Sequence, residues 1–140
     1  MKTSTRAITA SALLCVGLAA SAQDFPMKEQ AGVRWTCAGI GQTERAALAK
    51  LEPQSNLKLV FAGGKEGAYL ARVGVSLTDA AGKKTKLQFT ADGPICLIQA
   101  PSGSYRVDAT YADSKRTASA TLGKEAKHPA TVVFHFPKEQ

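Results

Sequence analysis

The chain has 140 residues, 44% of them hydrophobic and only 6% aromatic, with 18 basic against 11 acidic side chains for a formal charge of +7. That length fits one domain able to bury about two thirds of its unfolded surface and leaves too little for two. The positive balance is moderate, and the aromatic residues fall at core-facing positions instead of alternating with basic ones, which argues against a nucleic-acid partner.

Lys2 and Arg6 precede an apolar stretch from Ala7 to Ala20 that closes with Ala20-Ser21-Ala22. This is the layout of a secretory signal peptide, and cleavage is expected after Ala22. The stretch is too short, and too diluted by Thr9, Ser11 and Gly17, for a membrane span, which takes about 20 predominantly apolar residues. No second candidate span follows it. A lipid anchor at Cys15 is not expected, because Leu14 stands where a lipid-attachment site has a small residue. Cleavage would leave Cys37 and Cys96 in an oxidising compartment. One disulfide is the natural inference, and in the chain-entropy view closing a loop of about 60 residues contributes about 4 kcal/mol. Two buried free thiols are the alternative. A redox role lacks the C-x-x-C spacing that lowers a thiol pKa.

Residues 23–32 are polar, carry Pro26 and read as a flexible N-terminal arm before a domain spanning 33–140. Val33, Trp35 and Cys37 alternate with Arg34 and Thr36 as a short strand. After Gly39-Ile40-Gly41, the stretch Gln42 to Leu51 has helical composition, and Pro53 stops it. From there the pattern is strands and turns: Leu57, Leu59 and Phe61 on one face; Tyr69 to Thr78 through Val73, Val75 and Leu77; a connection at Asp79 to Lys83; and a return with Leu87 and Phe89 inward. Ile95 to Ile98 is short and apolar. Tyr105, Val107, Ala109 and Tyr111 face inward against Arg106, Asp108 and Thr110. Ala118, Ala120 and Leu122 follow, then Val132, Phe134 and Phe136. Seven or eight short strands at this spacing make an all-β, two-sheet antiparallel sandwich with one short helix the expected fold.

Three stretches carry a resemblance. Val73 to Gly82 ends in Asp79-Ala80-Ala81-Gly82, Phe89 to Pro94 contains Asp92-Gly93, and Pro101-Ser102-Gly103-Ser104-Tyr105-Arg106-Val107 opens the next strand. Together they resemble the carboxypeptidase regulatory-like domain, a transthyretin-like (prealbumin-like) sandwich, over about Tyr69 to Phe136. That resemblance implies a strand leading to a D-x-x-G hairpin, a partner strand ending in D-G and a P-x-G-x-Y-x-V opening, and it specifies fold rather than activity. Signal peptide, short helix and one such domain together are similar to small periplasmic proteins of Gram-negative bacteria. Within this reading Pro101 fixes the turn, Gly103 supplies positive φ, and Tyr105 buries its ring while its hydroxyl meets a backbone carbonyl at the rim.

Little in the sequence points to catalysis. His128 and His135 have no second ligand at metal spacing, no G-x-S-x-G turn presents a serine, and Asp79, Asp92, Asp108 and Asp113 lack the dense spacing of a calcium loop. The related fold that hydrolyses hydroxyisourate ends in Tyr-Arg-Gly-Ser, whereas this chain ends Phe136-Pro137-Lys138-Glu139-Gln140. The expectation is a monomeric, periplasmic, non-catalytic binding or structural module without cofactor or metal, its partner an envelope protein or polysaccharide. A small periplasmic hydrolase is the alternative. Lys83, Lys84, Lys115 and Arg116, on two turns, form a candidate anion-binding patch if those turns meet.

Overall fold

The structure is a computed structural model that describes residues 27–124 and 128–137. The expected signal peptide lies outside the described residues. Among the described residues ten strands, one α-helix and a 3-10 turn at Glu52–Gln54 follow in chain order: β1 (Lys28–Gln30), β2 (Val33–Ala38), α1 (Gly41–Leu51) with the 3-10 turn after it, β3 (Leu57–Gly63), β4 (Ala68–Tyr69), β5 (Gly74–Asp79), β6 (Thr85–Thr90), β7 (Ile95–Gln99), β8 (Gly103–Tyr111), β9 (Ser114–Leu122) and β10 (Ala130–Phe136). They build two sheets. One runs β1-β2-β7-β3-β10 with β4 also paired to β3, and the other runs β6-β5-β8-β9. The all-β sandwich expected from the alternation is therefore present.

The inward faces read from the sequence form its core. Leu57, Leu59 and Phe61 from the first sheet meet Val75, Leu77, Leu87, Val107 and Ala109 from the second, all fully or almost fully buried. Aromatic pairs join the layers: Trp35 stacks on Phe89 with ring centroids 5.3 Å apart, and Tyr111 meets Phe136 at 5.7 Å. The six-stranded sheet also has a second covered face. Ala38, Ile95 and Leu97 lie beneath Leu48 and Leu51 of α1, so β7 is buried on both sides and reads as an unbroken apolar run. The helix begins without a side-chain cap at Ile40; instead Glu44 accepts a hydrogen bond from the Gly39 N–H at 3.2 Å and places a carboxylate near the positive end of the helix.

Cys37 and Cys96 lie directly opposite each other on β2 and β7 and are joined by a disulfide, with Cα atoms 4.1 Å apart. That spacing falls just under the common range of about 4.4–6.8 Å and is near the roughly 4.5 Å of a non-hydrogen-bonded antiparallel pair. The bond staples two neighbouring strands of one sheet across a sequence separation of 59.

The structure departs from the expected elements in four places. Part of the supposed arm, Lys28 to Gln30, is a strand antiparallel to β2, turned by Ala31 and Gly32 at positive φ. The single strand expected over Tyr69 to Thr78 is divided between the sheets: Tyr69 pairs with Ala62 in one, and Gly74 begins β5 in the other. Arg72, at φ 63°, marks the bend between them. The strand count among the described residues is ten, because β1 is short and wholly polar and β4 has only two residues, so neither leaves an alternation. Finally, β10 lies parallel to β3, Ala130 opposite Leu57 through Phe136 opposite Gly63, so the sandwich is not wholly antiparallel.

Candidate binding face

Most of the resemblance-bearing residues, Asp79, Gly82, Pro101, Gly103 and Tyr105, gather at one end of the four-stranded sheet, whereas Asp92 and Gly93 follow Thr90 at its other end. Tyr105 is 5% exposed, and its hydroxyl donates to the Pro101 carbonyl at 2.6 Å. Burial, and then the nearby Asp79 carboxylate, push its phenol above the usual tyrosine pKa. Val107 is fully buried beside it. Gly103 adopts φ 151° at the start of β8. The Asp79 carboxylate accepts the Ala81 N–H at 3.0 Å, and the Asp79 carbonyl accepts the Lys83 N–H at 2.8 Å, which closes the hairpin. The left-handed residue there is Lys83, at φ 52°, while Gly82 has ordinary backbone geometry. Gly93 is required for closeness: a Cβ there would stand 2.5 Å from the Ala38 carbonyl oxygen. Its neighbour Asp92 is exposed and reaches Lys28 at 3.4 Å.

The four candidate cations do not meet. In the four-stranded sheet Gly74 pairs with Thr110 and Thr110 with Lys115, whereas Asp79 pairs with Tyr105 at the other end. Lys83 and Lys84, just beyond Asp79, are thus separated from Lys115 and Arg116 by the length of β5, about 17 Å. Lys115 and Arg116 also point to opposite faces, since Lys115 is opposite Thr110 and Arg116 is opposite core-facing Ala109. The physical reason is topological: the two hairpins close opposite ends of β5 and β8. The histidines stand at opposite ends of β10, with His135 Nε2 2.8 Å from the Gly64 carbonyl oxygen.

What the fold does gather is the outer face of the four-stranded sheet. The strand register places Thr90, Gly74, Thr110 and Lys115 in one row, Gln88, Ser76, Asp108 and Thr117 in the next, then Thr78, Arg106 and Ser119, and last Ser104 and Thr121. Hydroxyls dominate, with a cation towards each end. Along β8, four residues separate the Lys115 row from Arg106, about 13 Å. Asp108 lies between them, only 8% exposed, accepting a 2.7 Å hydrogen bond from Thr117 Oγ1 and a 3.3 Å bond from Arg106 Nε. Gly74 has no side chain, so the first rows hold a shallow depression of about 610 Å³. A second, of about 620 Å³, lies by Thr78, Lys83, Ser104, Arg106, Ser119 and Thr121.

The alternation of β8 already put Arg106, Asp108 and Thr110 on the outer face. The burial of Asp108 was not legible, because besides its strand neighbour Arg106 it depends on Thr117 of β9, which only the register brings beside it. Among the described residues no helix is long and apolar enough to cross a membrane. No protein-family model matches the chain, and no curated protein matches it.

Proposed function

We propose that this is an exported, periplasmic binding module of the carboxypeptidase regulatory-like type, without catalysis of its own, and that it holds a hydroxyl-rich, partly acidic envelope polymer along the outer face of its four-stranded sheet. One observation carries the reading: four strands present rows of Ser, Thr and Gln side chains over a rigid floor, with Lys115 and Arg106 about 13 Å apart. Hydroxyls and amides exchange hydrogen bonds with sugar hydroxyls, and two separated cations suit acidic groups spaced along an extended chain. The buried Asp108 orients Thr117 and Arg106 from beneath. Export is supported by the Lys2–Ala22 leader pattern and by the Cys37–Cys96 bond. The two-loop basic patch loses its geometric basis, and Arg106 takes its place.

The test uses protein recovered from the periplasm, whose intact mass should place its first residue at Gln23. Binding to isolated peptidoglycan and to an acidic polysaccharide is measured by co-sedimentation and calorimetry. Ser76→Trp, which fills the depression beside Gly74, should abolish binding with an unchanged thermal midpoint. Arg106→Ala and Lys115→Ala should each weaken it and flatten its salt dependence, since exposed charges are screened over about 8 Å at physiological ionic strength. Binding untouched by all three would remove the sheet face from the reading. Hydrolysis of the polymer lost in His135→Ala would replace it with the hydrolase alternative.

A further inference from the structure

Every sheet leaves edges, and those of this molecule differ in how they are protected. Strand β1 has three residues, two of them charged; β6 carries Lys86, follows Lys83-Lys84 and shifts register against β5 near Thr78; β9 opens with Lys115 and Arg116. Such short length, charge and irregularity are the usual means of keeping an edge from pairing with another chain. Strand β10 has none of them. Its seven residues, Ala-Thr-Val-Val-Phe-His-Phe, contain no Asp, Glu, Lys or Arg, and among the described residues it pairs on one side only, with β3.

The hydrogen bonds to β3 fix what that free edge offers. Ala130 N–H donates to the Asn56 carbonyl and Gly64 N–H donates to the Phe136 carbonyl, each at 3.0 Å. In a parallel ladder alternate residues direct both backbone groups to the same neighbour. The even-numbered residues of β10 therefore face β3, and Thr131, Val133 and His135 turn both N–H and C=O to the open side. Their side chains lie on the outer face: Val133 is 60% exposed, and the His135 ring is drawn back over Gly64; among the described residues β9 of the other sheet runs close to β10 without pairing to it.

We propose that β10 is a self-recognition edge, on which a second copy of this chain pairs antiparallel about a two-fold axis at Val133. In that register Val133 meets its own counterpart and Thr131 meets His135 in both directions, so every outward backbone group is matched by another. Sliding by one residue would set outward groups against inward ones, and sliding by two would leave a pair unmatched. Pro129 and Pro137, which have no N–H, bound the strand at both ends. The neutral strand brings no like charges together, and two exposed valines become neighbours. An isologous pairing uses up the edge on each copy and closes at a dimer. One strand is a small interface, so association in the micromolar range is expected. This replaces the monomer expected from the sequence, and it involves the sheet opposite the proposed polymer face.

Sedimentation equilibrium from low micromolar to near-millimolar concentration, with amide hydrogen exchange on the same samples, tests it. The expected result is a monomer–dimer equilibrium in which the Thr131, Val133 and His135 amides become protected as dimer forms. Val133→Lys sets like charges directly opposite each other and should weaken association by about tenfold or more, while the thermal midpoint of the dilute monomer stays unchanged. Thr85→Lys, on the far edge strand of the other sheet, should leave association unaltered. A protein monomeric throughout the range, a dimer indifferent to Val133→Lys, or concentration-dependent protection at β6 or β9 instead would each overturn the proposal. So would edge amides that slow only when an unrelated extended peptide is added, which would give the edge to a different partner.

Discussion

On the six-stranded sheet both faces are covered in the middle: Cys96 and Ile98 enter the sandwich core, and Ile95 and Leu97 lie under α1. On the four-stranded sheet only one face is covered; behind Val75, Val107 and Ala109 the other side presents Ser76, Thr110 and Thr117 to solvent. The contrast is written in the sequence as a change of pattern. Where a strand is enclosed on both sides the period-2 alternation disappears, as in Ile95-Cys96-Leu97-Ile98, and where one side is free it is strict, as in Tyr105 to Tyr111. Regular alternation therefore marks the strands whose outer face is available to a ligand, and its loss marks where α1 must sit.

The largest expected effect tests the layer the two sheets share. Phe136 is fully buried and packs against the Tyr111 ring of the opposite sheet at a tilt of 51°. Phe136→Ala should cost about 3–5 kcal/mol, the range for aromatic truncation in a core, read as a lower denaturant midpoint. A cost under about 1 kcal/mol, the scale of an ordinary surface change, would mean that the layers are not joined there.

The second prediction compares equivalent outer-face positions on the two sheets. Leu97→Ala, beneath the helix, should cost about 2–5 kcal/mol, whereas Ser76→Ala should stay within about 0.5 kcal/mol. Equal costs would break the distinction between a covered and a bare face, and they would call for something seated over Ser76. The amides of α1 should also exchange faster in Leu97→Ala, because the helix is held mainly by that contact and its neighbours.

The alternating inward residues were legible because each makes its own statement about burial: Leu57, Leu59, Phe61, Val75, Leu77, Val107 and Phe134 are all in the core. The helix was legible over Gln42 to Leu51, one residue short of its start at Gly41, since Ala, Leu and Glu content and Pro53 are local signals. Strands β1 and β4 gave no such signal, being held by pairing instead of composition. The direction of β10 was equally hidden, because parallel and antiparallel neighbours demand the same alternation from an edge strand. For the binding face the sequence supplied which side chains point outward along β8 but not which residues of β5, β6 and β9 stand beside them. That is a matter of register, and for the same reason the sequence left open whether Lys83 and Lys115 share a patch, which β5 and β8 exclude by holding them at opposite ends.

The smallest effect probes the seam where the bare sheet meets the shared core, at Tyr105. The ring is buried and the hydroxyl donates to Pro101, so Tyr105→Phe keeps the packing and removes one hydrogen bond, at a cost of about 1 kcal/mol. Its dependence on pH separates this bond from simple packing. Burial and Asp79 raise the phenol above the unfolded value of 10.0, which means that the folded state favours the protonated hydroxyl. The stabilisation is therefore fully present below the unfolded pKa and is lost as pH rises through the folded one. Above pH 10 the native protein should lose stability faster than Tyr105→Phe, which has no proton to release there, and the two curves should converge. Parallel curves through that range would show that the phenol titrates alike in both states, and the hydroxyl would then contribute packing at the rim of the sandwich but no hydrogen bond that holds β8 to the turn before it.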